Sequence, residues 1–270
     1  MNENSGFKYS ILASGSTGNS FYLETPKKKI IVDAGLSGKK IEGLMSEIGR
    51  DINDVDALLI THEHSDHIKG MGVLARKYGL DVYANEQTWQ EIDSKNMVGK
   101  ISEDQKHIFE MGKTITFGDI DIESFGVSHD AVAPQFYRFM KDNKSFVLLT
   151  DTGYVSDRMQ GIIENADGYL MESNHEVEML RNGPYPWVTK QRILSDRGHL
   201  SNEDGAKAAF HVLGNKTKRI FLGHLSLHNN IKELAHMTMD GYLQQHDVDT
   251  HREVKIMDTS HEHASKLFDI

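Results

Sequence analysis

The sequence predicts an α/β fold, a four-layer αββα sandwich in which two mixed β-sheets pack face to face beneath outer helices. Three observations predict it. Short apolar, strand-like runs alternate with helical segments along the whole chain. That rhythm occurs twice in succession, which suggests an internal duplication, although no sequence repeat establishes one. Polar clusters also recur at the C-terminal ends of the strand-like runs, where α/β proteins assemble their sites. The 270 residues are 38% hydrophobic and carry no Pro/Ser-rich linker, so residues 1–270 are read as a single domain.

In chain order, the first strands are "KYSILAS" (8–14), "SFYLET" (20–25), "KIIVDAG" (29–35) and "DALLITH" (56–62). "GSTGNS" (15–20) between the first two lacks the Lys-Ser/Thr of a phosphate loop and precedes a strand, so it reads as a tight hairpin turn. A helix is predicted over 66–78, with Ile68, Met71, Leu74 and Ala75 on one face and Gly79 as its stop. "DVYANE" is then a strand and "EQTWQEIDSK" a helix. In the second half "KTITFG", "IDIESFGVSH", "KSFVLLTDTG", "GYLMES", "RIFLGHLS" and "REVKIMD" read as strands. "SDRMQGIIENA", "NEDGAKAAFHVLG" and "IKELAHMTMDGYLQQH" read as helices among them.

Composition narrows the chemistry. With no cysteine, neither disulfides nor thiolate ligands are possible, so any metal must be held by nitrogen and oxygen. Fifteen histidines make metal chemistry worth pursuing. The net charge of −10 argues against passive binding of nucleic acid, yet it leaves a nuclease open, because bound divalent cations add positive charge where a phosphate would sit. No apolar run reaches the ~18–20 residues that span a bilayer. The start "MNENSGFKYS" has no secretory pattern, so a cytoplasmic protein with no obligate protein partner is expected.

The densest cluster is "THEHSDH" (61–67). Its bland reading is a solvated, His-rich loop. Against that stand Asp33, His62, His129, Asp151 and His224, each placed at the end of a predicted strand. His62 and His64, two apart in an extended segment, point the same way and can hold one ion with His129. Asp66 and His67, at the turn into a helix, can hold a second ion with His224, and Asp151 can bridge the two. Zn²⁺ and Mn²⁺ accept imidazole and carboxylate ligands, so two divalent ions are expected. Glu63 alternates away from His62 and His64. "NGPYPWVTKQR" (182–192) interleaves Tyr185 and Trp187 with Lys190 and Arg192, a pattern that can stack a base and grip phosphate, although ordinary loop packing explains it as well.

"THEHSDH" resembles the H-x-H-x-D-H signature of the metallo-β-lactamase fold superfamily. "VDAG" (32–35), "VSH" (127–129), "TDTG" (150–153) and "LGH" (222–224) resemble its other motifs in order. The resemblance implies that Asp33 supports the metal-binding loop without binding metal. "MESNHE" (171–176) and "GHLSNEDGAKAA" (198–209) are similar to paired motifs of the ribonuclease Z branch. Carried over, they imply that Glu172 orients His199, which protonates the departing sugar oxygen. The alternative is that His199 merely precedes a helix cap at Ser201.

The ribonuclease Z arm that grips tRNA has no counterpart here. "LASGSTGNSFYLE" (12–24), the segment 171–202 and "FLGHLSLHNN" (221–230) are instead similar to the WalJ (YycJ) group over nearly the full length. That resemblance implies a metal-dependent phosphodiesterase, specifically a 5′→3′ exodeoxyribonuclease on double-stranded DNA. A hydroxide shared by two ions and oriented by Asp66 would attack phosphorus. The alternatives are an RNA-processing ribonuclease, a cyclic-nucleotide phosphodiesterase or, at more distance, a glyoxalase II-like thioesterase.

Overall fold

The computed structural model describes residues 6–270 and contains two sheets of seven strands each. The first is built from β1 (Lys8–Ala13), β2 (Ser20–Glu24), β3 (Lys29–Val32), β4 (Ala57–Leu59), β5 (Asp81–Ala84) and β6 (Lys106–Ile108). The second contains β7 (Thr114–Phe117), β8 (Ile120–Gly126), β9 (Gln135–Lys141), β10 (Lys144–Leu149), β11 (Gly168–Glu172), β12 (Arg219–Gly223) and β13 (Lys255–Asp258). A closing strand, β14 (Phe268–Asp269), returns to the first sheet beside β1. The spatial orders are β14-β1-β2-β3-β4-β5-β6 and β13-β12-β11-β10-β9-β8-β7.

The helices are α1 (Gly38–Glu47), α2 (Ser65–Ile68), α3 (Met71–Tyr78), α4 (Glu86–Ser94), α5 (Asp157–Ile163), α6 (Val177–Asn182), α7 (Trp187–Ile193), α8 (Asn202–Val212) and α9 (Lys232–Gln245). None of them is long and apolar enough to cross a membrane.

Strand periodicity explains the layering. Successive side chains point to opposite faces, and near-continuous apolar runs mark strands buried on both. In β2, Phe21 and Leu23 enter the core between the sheets, while Tyr22 enters the core beneath the first sheet's helices. In β3, Ile30 and Val32 take the first role and Ile31 the second. Aromatic rings fill the inter-sheet core, with the Tyr9 and Phe146 centroids 4.3 Å apart. Fully burying each such side chain contributes roughly 1.5–3 kcal/mol, so a polar residue at Ile30 would be unfolding in tendency.

The helix predicted over 66–78 is broken. Lys69 and Gly70 separate α2 from α3 because Gly70 docks on the loop after β3, its amide donating to the Ala34 carbonyl at 2.7 Å. A Cβ at Gly70 would lie 2.3 Å from the Leu36 carbonyl oxygen, so only glycine permits this approach. The strand predicted through His129 ends at Gly126, and β9 and α1, absent from the sequence reading, complete the layers.

Candidate functional site

The site lies at the C-terminal edges of β3, β4, β10, β11 and β12. Asp33, Asp151 and His224 each follow a strand with left-handed backbones, at φ 59°, 51° and 56°. Non-glycine residues rarely adopt this conformation, and where they do it tends to mark functional positions. Here it turns Asp151 and His224 off their strands into one cluster and sets Asp33 against the back of His67.

His62, His64 and His129 each offer a nitrogen to a common point, and an oxygen of Asp66 meets nitrogens of His67 and His224 at a second. Asp151 stands between them, one oxygen 3.3 Å from His67 Nε2 and the other 3.9 Å from His129 Nε2. His62 Nε2 is buried without a hydrogen-bond partner among the described residues, an orphan whose natural complement is a cation. The donor set therefore fits nitrogen- and oxygen-bound divalent ions. Asp33 lies behind His67, its Oδ2 accepting from His67 Nδ1 at 2.7 Å while both its oxygens accept from Thr61. That bond leaves His67 Nε2 facing the cluster. Glu63 turns away, accepting from the Val132 amide.

Glu172 is fully buried. Its Oε1 accepts from His199 Nδ1 at 2.8 Å and lies 3.0 Å from His224 Nδ1, while Oε2 accepts from the Thr152 and Leu200 amides. His199 itself lines an open cavity of about 350 Å³ together with Asp66, Asp151 and His224.

Charges within the cluster are coupled. Burial raises the Asp151 carboxyl, but the imidazoles of His224 and His67 outweigh it and hold the group well below the usual carboxylate range. Burial likewise opposes the effect of His199 and His224 on Glu172, which ends at about 2. Burial depresses His224, yet Asp151, Asp66 and Glu172 lift it to about 10; at His67 burial is likewise outweighed, and Asp33, Asp151 and Asp66 hold the ring well above the ordinary imidazole value. At His62 and His129 burial dominates, and both sit below the ordinary imidazole value. Without cations, protons on His67 and His224 thus offset part of the acids' charge, a role a divalent ion would take over.

The segment 182–194 crosses over the cavity as a strap. Tyr185 and Arg192 line it beside Thr189 and Ile193, whereas Trp187 is exposed and Lys190 donates to the Arg181 carbonyl. Of the expected substrate contacts, the fold brings the first pair to the site and leaves the second pair off it. Arg192 donates to Asp130 at 2.8 Å. Sequence reading missed Asn19, whose Nδ2 lies 3.4 Å from Asp66 Oδ2 and 3.1 Å from His67 Nε2. The signal was present in "GSTGNS", a turn whose backbone, but not the Asn19 side chain, was considered for the site. It also missed Asn174, which donates to the His224 carbonyl.

A family model described as "Beta-lactamase superfamily domain" matches residues 28–225. Exodeoxyribonuclease WalJ of Streptococcus pneumoniae serotype 2 (strain D39) is 71% identical over 265 residues, covering 98% of each chain. Exodeoxyribonuclease YycJ of Bacillus anthracis is 54% identical over 262 residues, covering 97% of this chain and 98% of the relative. Among solved structures, the metallo-beta-lactamase fold protein YhfI from Bacillus subtilis superposes with a TM-score of 0.71 at 16% identity, covering 96% of this chain and 99% of that one. Human tRNase Z, short form, superposes with a TM-score of 0.64 at 13% identity, over 96% and 98%.

Proposed function

The chain belongs to the beta-lactamase superfamily and has the metallo-β-lactamase fold, and from that premise we propose that it is a 5′→3′ exodeoxyribonuclease acting on double-stranded DNA. The observation that carries a phosphodiester substrate is the Glu172–His199 pair, bonded at 2.8 Å on the edge of the ligand cluster. Hydrolysis of a thioester has no use for such a proton donor. DNA as the polymer rests on the names of the two high-identity relatives.

His62, His64 and His129 would hold one ion, Asp66, His67 and His224 a second, and Asp151 both. Divalent cations bound there, Zn²⁺ or Mn²⁺, lower the pKa of water and neutralise charge developing on a phosphate. The remaining work falls to side chains. Asp66, partly open to the cavity, accepts a hydrogen bond from the attacking water and so orients it. Asp33 fixes the ring of His67, and Arg192 and Tyr185 meet the substrate from the strap. His199, its Nδ1 held by ionised Glu172, presents Nε2–H to the departing sugar oxygen. As the new phosphorus–oxygen bond forms, the bond from phosphorus to the 3′ oxygen breaks and that oxygen takes the proton. The products are a nucleotide with a free 3′ hydroxyl and a strand with a 5′ phosphate.

The test is a comparison of rates on labelled duplex DNA, single-stranded DNA, RNA and a model phosphodiester, with Mn²⁺ or Zn²⁺ supplied. Stepwise loss from the 5′ ends of duplex DNA is expected. Cleavage of RNA alone, or release from 3′ ends, would overturn the proposal.

A further inference from the structure

The mechanism above uses the cavity under the strap and leaves unused a larger depression beside it. A groove of about 990 Å³ runs from the ligand cluster along α4, lined by Gln87, Gln90, Ser94, Met97 and Val132, with Arg197 also on its wall. It shares His64, Ser65 and Asp130 with the cavity, so the two form one continuous cleft passing across the cluster.

Arg197 is the telling residue. Its guanidinium donates through Nε and Nη2 to the His129 carbonyl, 3.2 Å from each, which fixes it beside the site. It has no carboxylate partner among the described residues. Of the acids facing the groove, Glu91 pairs with Lys95 and Asp130 with Arg192, while Glu63 is buried, accepts from the Val132 amide through Oε1 and makes no ion pair with Arg197. A cation held in place but unneutralised suits an anionic ligand. Besides these ion-paired and hydrogen-bonded groups the walls carry the neutral Gln87, Gln90, Ser65 and Ser94, and the apolar Met97 and Val132 are 40% and 47% exposed. That mixture fits nucleobases and sugars better than a densely charged ligand.

We propose that this groove carries the polynucleotide strand on the phosphate-retaining side of the cut, with Arg197 gripping the phosphate next to the scissile one. The strap-covered cavity then takes only the terminal nucleotide. His199 lines the cavity and not the groove, so the leaving oxygen and its sugar belong to the cavity. The strand that keeps the phosphate must extend the other way, into the wider space. This assignment rests on the phosphodiesterase reading.

Full-length protein is mixed with fluorescent duplex DNA whose terminal linkages are phosphorothioates, which resist cleavage, and binding is followed against salt. R197A is expected to weaken binding about tenfold and to reduce the slope of log affinity against log salt by about 0.7, the loss of one phosphate contact on a single strand. R197K keeps the slope. In parallel, 5-iododeoxyuridine at the second or third nucleotide is photo-cross-linked and the adduct mapped. Attachment within residues 86–98 is expected, with M97A reducing the yield. An unchanged salt slope in R197A, or cross-links confined to α7, would overturn the groove assignment. Hydrolysis of a model diester by the wild-type protein tests the phosphodiesterase reading separately, since a small diester does not reach the groove.

Discussion

Replacing Asp33 separates support of the ligand cluster from membership of it. Its carboxylate accepts from the Thr61 amide at 2.9 Å, Thr61 Oγ1 at 2.8 Å and His67 Nδ1 at 2.7 Å, and the residue is 4% exposed. In Asp33→Ala the Thr61 amide and the His67 ring lose their partner in a place water does not reach, at about 1–3 kcal/mol each. Alanine is also less tolerant than aspartate of φ 59°, which adds about 1 kcal/mol. The sum, roughly 3–7 kcal/mol, is a large share of the ~5–15 kcal/mol that stabilises a typical domain. Asp33→Asn keeps an acceptor for the Thr61 amide and tolerates the backbone, but loses the charge opposite His67. It should cost about 1–2 kcal/mol in stability and weaken zinc binding by about 10–100-fold. Urea unfolding of the chelated protein gives the first quantity, and competition with a chromophoric chelator gives the second. Wild-type zinc affinity in Asp33→Asn, together with an Asp33→Ala midpoint shift worth under about 1 kcal/mol, would refute the reasoning.

Other outcomes follow from the same geometry. His199→Ala should retain wild-type metal content by elemental analysis while turnover falls by about 10²–10⁴-fold, and loss of metal would make His199 a ligand instead of a proton donor. Asp151→Ala should lose metal and activity together, because its carboxylate lies between both donor sets; a variant that stays active at full metal content contradicts the bridging role. For metal-free protein the pH dependence has a definite sign. His224, raised from 6.5 to about 10, contributes stability fully below about pH 6.5 and loses it as pH climbs toward 10. Glu172, lowered from 4.5 to about 2, contributes above about pH 4.5 and loses it as pH falls toward 2. The melting temperature in chelator should therefore be highest between those limits. Rising thermal stability of the chelated protein from pH 6.5 to 9 would count against the protonated cluster.

That the His and Asp residues of the candidate metal centre gather at one place was legible in the sequence, because they sit just past strand ends, where a rigid sheet fixes direction and local pattern carries the information. The strap was not. "NGPYPWVTKQR" read as an irregular loop has no face, so all its aromatic and basic residues looked equally able to reach a substrate. As a helix, α7 turns Thr189, Arg192 and Ile193 toward the cavity at helical spacing and sends Trp187 and Lys190 elsewhere. Its helical character was hidden because Trp187 and Val188 are exposed, leaving no apolar stripe to detect. The break at Gly70 was equally invisible, since its cause is the Leu36 carbonyl, thirty-four positions earlier in the chain and adjacent only after folding.

The duplication, which no sequence repeat could establish, has a physical trace in the two sheets. Each runs as antiparallel strands followed by parallel ones, with β3 pairing antiparallel to β2 and parallel to β4 just as β10 does with β9 and β11. The loops after β3 and β10 then read Asp33-Ala34-Gly35 and Asp151-Thr152-Gly153, and both aspartates are left-handed. In each loop the glycine admits the backbone that follows the next parallel strand. A Cβ would lie 1.6 Å from the Asp66 carbonyl oxygen at Gly35 and 2.2 Å from the Asp196 carbonyl oxygen at Gly153. Equivalent positions thus bring equivalent loops onto the site from both sides, one carrying Asp66 and the other Arg197. The halves differ in what the aspartate does: Asp33 bonds His67 from behind, while Asp151 faces into the cluster. A symmetric frame with one carboxylate turned outward and the other inward accounts for a cleft that continues to both sides of a single cluster, and so for room to hold a strand on one side of the cut and a departing nucleotide on the other.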